Sequence, residues 1–174
     1  MASRHFRTMA LLVAAAPLGA ALIALPVAPA QAASGDLSCS AALSLTFQPA
    51  LVAGGKSTTT ITGTASGCTS SNGQHTDLTA GTLSGSGSAT GSGSIFFPCG
   101  VSPTASGTAT VSWKKGTTST VAWKVAGGSF TASVTDGELK GDKLTASLDG
   151  LPQASCGTNG GLATVAVNAT AAFA

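Results

Sequence analysis

The chain has 174 residues, of which only 8% are charged, and eight Lys and Arg against six Asp and Glu give a formal net charge of +2. So little charge, so evenly divided, cannot neutralise a run of phosphates, which excludes nucleic acid as a partner. The absence of Tyr, with 23 glycines and abundant Ser, Thr and Ala, leaves two classes open, a disordered chain or a β-protein with small side chains.

The amino terminus reads as an export signal. Arg4, His5 and Arg7 precede an uncharged apolar stretch over 9–27, and Ala30-Gln31-Ala32 supplies a small-x-small site, so cleavage by a Sec-type route is expected after Ala32. About 20 apolar residues could also span a bilayer, but Pro17, Gly19, Pro26 and Pro29 interrupt the run. Cys39 lies too far beyond it to be a lipoprotein acceptor. Removing 32 residues from 174 leaves 142, a single secreted domain over 33–174. Both arginines leave with the signal, and six lysines then face six acids, Asp36, Asp77, Asp136, Glu138, Asp142 and Asp149. The processed protein is expected in the extracellular space, with no stable membrane insertion.

Patterning decides for a folded β-domain. Cys39, Ala41, Leu43, Leu45 and Phe47 recur at every second position, the mark of a strand with one buried face. A loop through Pro49 and Gly54-Gly55 leads to a threonine-rich strand over 58–65, comfortable in a sheet because of β-branching, with Ile61 as its main core residue. Residues 81–94 alternate Gly and Ser as a flexible linker would. Leu78 and Leu83 on one side and Ile95-Phe96-Phe97-Pro98-Cys99 on the other fit a glycine-rich strand beneath bulky neighbours equally well, and no domain boundary is placed there.

The strongest hairpin signal lies over 108–125. Ala109, Val111 and Trp113 alternate before Lys114-Lys115-Gly116, and Val121, Trp123 and Val125 alternate after it. Putting both sets on one face requires an odd loop, so a three-residue loop with Gly116 left-handed is expected to pair Val111 with Ser119 and Ala109 with Val121. Turns at Gly127-Gly128, Asp136-Gly137 and Asp149-Gly150 separate Phe130-Ala132-Val134 from Leu144-Ala146-Leu148 and a last strand holding Val165, Val167, Ala169, Ala171 and Phe173. About eight short strands and no helical periodicity after the signal predict an antiparallel β-sandwich, with an immunoglobulin-like arrangement as one form and a β-barrel as the second choice.

All four cysteines, Cys39, Cys68, Cys99 and Cys156, lie in the exported part and are expected to form disulfides. Of the three pairings, Cys39 with Cys68 and Cys99 with Cys156 is chosen, because Cys39 lies on the inner face of the first strand and the next strand returns to end near Cys68. No Cys-x-x-Cys spacing exists and His75 is the only histidine after processing, so neither a metal nor another cofactor is expected.

Candidate chemistry is sparse. Ser70-Ser71-Asn72-Gly73-Gln74-His75-Thr76-Asp77 brings a Ser, a His and an Asp together, but a triad needs convergence in space, and this segment reads as a polar loop. No Gly-x-Ser-x-Gly occurs. Asp136, Glu138 and Asp142 could supply a glycosidase pair, yet their glycines read as turns, with Lys140 and Lys143 balancing them in a solvated loop. Trp113 and Trp123 alternate with valines and belong to a core rather than to a sugar-stacking platform. Asn168-Ala169-Thr170 falls inside a strand and is not read as a glycan site.

The alanine-rich leader, Leu37-Ser38-Cys39-Ser40, the hairpin from Trp113-Lys114-Lys115-Gly116 to Val121 and the late Cys156 resemble small secreted proteins found widely in actinobacteria. The resemblance implies a β-sandwich with two disulfides and carries over no catalytic or binding residues. The expectation is thus a non-catalytic extracellular protein acting by surface contact with another secreted or cell-envelope component. Two other readings stand beside it, a protease inhibitor using residues 48–56 or 99–106, and a hydrolase using His75.

Overall fold

A computed structural model describes residues 36–149 and 152–174. The expected export signal and Gly150 of the Asp149-Gly150 turn lie outside the described residues. Nine strands follow in order: β1 (Leu37–Leu51), β2 (Lys56–Thr69), β3 (Gly81–Gly93), β4 (Val101–Trp113), β5 (Thr118–Ala126), β6 (Ser129–Gly137), β7 (Lys143–Leu148), β8 (Gln153–Cys156) and β9 (Leu162–Phe173). A 3-10 turn at Pro98–Gly100 precedes β4, and there is no α-helix among the described residues.

The strands form a closed antiparallel barrel, so the second choice of architecture replaces the sandwich. From β1 to β7 each strand pairs with the next in chain order. β1 then pairs along its other edge with β9, from Leu37 opposite Phe173 to Thr46 opposite Thr164. This last ladder leaves β1 no free edge, and closure of that kind is what separates a barrel from two stacked sheets. Eight strands enclose a space just wide enough for side chains to fill. The strands are also longer than expected, 15 residues in β1 and 13 in β3 and β4.

β9 shows why the barrel is uneven. Along the edge opposite β1 it pairs with β7 through residues 169–173 and with β8 through residues 162–166. β8 therefore continues the line of β7 upward, beyond the turn that joins β5 to β6. On the far side β4 pairs with β3 from Val101 onward but reaches β5 only at Ala105. The wall thus has a notch, bounded by the free edge of β4 over 101–104, the β5–β6 turn and β8. Pro103 sits on that free edge, where a residue without an N–H costs no ladder bond.

Register follows the side chains. The three-residue loop Lys114-Lys115-Gly116 forms as expected, with Gly116 at φ +96°, Val111 opposite Ser119 and Ala109 opposite Val121. Gly127 and Gly128 both take positive φ in the tight turn before β6, and Trp113 and Trp123 are 3% and 2% exposed. The Gly-Ser stretch is strand β3, paired with β2 and β4. One turn is misplaced by the sequence: Asp136 and Gly137 are the last residues of β6, opposite Thr120 and Ser119. A bulge at Thr135 shifts the register, and the reversal follows at 138–141.

Both disulfides form in the expected pairing, Cys39 with Cys68 and Cys99 with Cys156. They suit an oxidising environment.

Candidate functional site

The two ends of the barrel differ in chemistry. At the lower end lie the start of β1 and the connections β2–β3, β4–β5 and β6–β7. The upper end carries the connections β1–β2, β3–β4, β5–β6 and β7–β9. Of the six lysines and six acids of the β-domain, this topology places nine at the lower end, Asp36, Asp77, Lys114, Lys115, Asp136, Glu138, Lys140, Asp142 and Lys143. Only Lys56, Lys124 and Asp149 lie toward the upper end.

The lower end gathers the residues that suggested hydrolytic chemistry, in a different arrangement. Lys115 Nζ lies 2.7 Å from Asp77 and 2.9 Å from Glu138, while His75 Nδ1 is 3.8 Å from Glu138. Ser70 donates to Asn72 Oδ1 at 2.8 Å. Asp77 is thus held by Lys115 instead of orienting His75, and Ser70 is engaged with Asn72. Lys115 holds both the Asp77 and the Glu138 carboxyls below their ordinary values through hydrogen bonds. Its own ammonium is raised, by Asp77 and then Glu138. The acidic run is not a uniformly solvated loop. Asp136 makes an exposed 3.5 Å pair with Lys140, whereas Asp142 is 4% exposed, with Oδ2 lacking a hydrogen-bond partner. Balance for Glu138 comes from Lys115 of another turn, not from Lys140 or Lys143.

Asp142 has a companion that sequence spacing could not reveal. Asp36, 7% exposed, accepts from Asn72 Nδ2 and stands close enough to repel Asp142. Burial first, then the charge of Asp36, raise the Asp142 carboxyl above its ordinary value; His75 pulls the other way, and a hydrogen bond with Asp36 adds a lesser upward push. A carboxyl raised in the folded state stabilises the fold fully below its unfolded pKa, near 3.9, and loses that contribution as pH rises through the folded value. Asp142→Asn is therefore expected to stabilise the protein at pH 7 by about 1 kcal/mol, because an amide can donate to Asp36 and carries no buried charge. The gain should vanish near pH ~3, a difference that scanning calorimetry at the two pH values would read.

The upper end holds the principal apolar cavity, about 390 Å³ in volume. It occupies the notch and runs into the barrel. Leu43 and Leu45 of β1, Val165 and Val167 of β9 and Phe130 of β6 form its inner wall, and Phe96, Phe97 and Pro98 roof it. No charged residue lines it; Ser129 is its one hydroxyl. The roof is fastened across the notch by Cys99–Cys156, which ties the β3–β4 connection to β8. Beside it Ile95 and Phe96 project 92% and 89% exposed. The sequence marked 95–99 only as bulky neighbours of a glycine-rich strand; the cluster Ile-Phe-Phe-Pro next to a cysteine was the signal available.

The remaining expected features fall elsewhere. Asn168 is exposed on β9, within a ladder to β1 at Ala42. Of the two segments considered for protease inhibition, residues 101–106 are part of β4, and residues 52–55 make a turn tied by the Gly54 N–H to Gly91 O at 2.8 Å. No grouping of three or more His, Cys, Asp or Glu suited to a metal occurs among the described residues.

Fold and site together define an eight-stranded antiparallel β-barrel with an apolar mouth roofed by a disulfide-anchored loop. No protein-family model, curated protein or solved structure matches the chain.

Proposed function

We propose that this chain is an extracellular, non-catalytic binding protein that holds a small uncharged apolar molecule in the upper cavity. The expected export signal over 1–32 and the two disulfides support the location. The observation that carries the binding reading is the cavity: its volume of about 390 Å³ falls within the roughly 300–1,000 Å³ of small-molecule sites. Its walls offer dispersion contacts and almost no hydrogen bonding, which favours an acyl chain or an uncharged ring system over a sugar or a nucleotide. The expectation of action by surface contact is thereby narrowed to a pocket.

The neutral probe N-phenyl-1-naphthylamine, which fluoresces in apolar surroundings, tests this. Saturable uptake by the purified protein is expected, with displacement by a medium-chain alcohol. Ala154 lines the cavity from β8, and Ala154→Phe should fill it and weaken uptake at least about tenfold, a loss of roughly 1.4 kcal/mol. Non-saturable fluorescence, or uptake indifferent to Ala154→Phe, would remove the reading.

A further inference from the structure

We infer that the upper end docks on a lipid surface, presenting the cavity to it; the inference rests on the apolar-ligand reading and names where that ligand is collected. Three observations lead there. Ile95 and Phe96, adjacent at the tip of the β3–β4 connection, are 92% and 89% exposed, and Val52 in the neighbouring β1–β2 connection is 40% exposed. Large apolar side chains left in water side by side on a loop fixed by a disulfide mark a surface that meets an apolar phase.

The second observation is charge segregation. Nine of the twelve charged side chains of the β-domain stand at the opposite end, so the upper end can approach hydrocarbon without dehydrating them. Of the three nearer charges two are Lys56 and Lys124, which suit an anionic headgroup layer; the third, Asp149, accepts a hydrogen bond from Thr170 at 3.2 Å. The third observation is continuity. Phe96 belongs to both the projecting tip and the cavity roof, so a tip seated among acyl chains places the roof at the boundary an apolar ligand must cross. The contact is peripheral, a tip inserted to the depth of a side chain, and requires no spanning element.

Sedimentation with vesicles of phosphatidylcholine, and of phosphatidylcholine with phosphatidylglycerol, tests the inference. The protein is expected to sediment with both, more with the anionic mixture. Ile95 does not line the cavity, so Ile95→Asp should lower vesicle binding at least about tenfold while N-phenyl-1-naphthylamine uptake in vesicle-free solution stays unchanged. Lys114→Glu, at the charged end, should leave vesicle binding as it was. Failure to bind either vesicle, or equal binding by Ile95→Asp, overturns the docking inference even if probe uptake persists. Vesicle binding that Ile95→Asp abolishes, in a protein that takes up no probe, supports docking and sinks the cavity reading instead.

Discussion

Replacing Gly87 by alanine should destabilise the barrel by about 3 kcal/mol or more, a large share of the 5–15 kcal/mol that holds an ordinary domain together. Gly87 lies opposite Gly107 of β4 and Thr59 of β2. A Cβ at Gly87 would stand 2.1 Å from the Ser106 carbonyl oxygen and 2.8 Å from Cζ2 of Trp123, and one at Gly107 would stand 2.1 Å from the Ser86 carbonyl oxygen. The first contact is with backbone, so no rotamer change relieves it; the two strands must separate and strain their ladder. The second is with an indole that is itself 2% exposed and has no room to retreat. Urea unfolding should show the midpoint falling with an unchanged slope. Ser86→Ala, one residue away on the exposed face, should shift stability by no more than about 0.5 kcal/mol. A Gly87→Ala protein as stable as the parent would mean that β3 and β4 are not so closely apposed.

The same glycines explain why β3 was ambiguous in the sequence. Gly85, Gly87 and Gly91 share the inward positions with Leu83 and Ala89, and Ser84, Ser86 and Ser88 point outward, so the period of two is present. At Gly87 the apolar member is reduced to hydrogen because the indole of Trp123, two strands along the same wall beyond Gly107, lies against it. A hydropathy pattern sees little of the strand there, since the bulk beside these glycines belongs to other strands, Trp123 of β5 at Gly87 and Val111 and Trp113 of β4 at Gly81. The hairpin around Lys114-Lys115-Gly116 was legible for the opposite reason: each of its strands carries its own large side chains, and matching their faces fixes the loop length. The upper half of β4 was missed because Pro103 and Gly107 break the alternation there.

Architecture was less legible than register. Alternation places one face of every strand inside, and that holds equally for a sandwich and a barrel; what differs is whether the first and last strands meet. The meeting of β1 with β9 joins residues more than 110 positions apart, from Leu51 with Leu162 to Leu37 with Phe173, and no local signal reports it. The candidate sites follow the same division. His75, Asp77, Glu138 and Asp142 could be named from the sequence, but the lysine that holds Asp77 and Glu138 together comes from the β4–β5 turn, and Asp36 reaches Asp142 from before the first strand. The cavity was the least visible feature, since it depends on unequal strand lengths around a closed wall.

That wall gives the two disulfides different tasks, and separating them is the second large effect expected. In the chain-entropy picture, opening Cys39–Cys68, separated by 29 residues, should cost roughly 3.5 kcal/mol, and opening Cys99–Cys156, separated by 57, roughly 4 kcal/mol. Stability alone therefore hardly distinguishes them, but their surroundings do. Cys39 and Cys68 join β1 and β2, strands already laddered along most of their length, so Cys39→Ala with Cys68→Ala should lower the unfolding midpoint and leave probe uptake intact. Cys99 and Cys156 join the β3–β4 connection to β8, which ladders only with β9 and for four residues. Without that bond nothing covalent spans the notch, and Phe96, Phe97 and Pro98 lose their anchor. Cys99→Ser with Cys156→Ser should thus weaken N-phenyl-1-naphthylamine uptake about tenfold or more, under conditions where the protein is still folded by circular dichroism. Equal uptake by the two double variants would show that the roof holds its place by packing alone. A loss confined to the Cys99 and Cys156 variant would mean that this disulfide, though it adds little more stability than its counterpart, preserves the shape of the mouth.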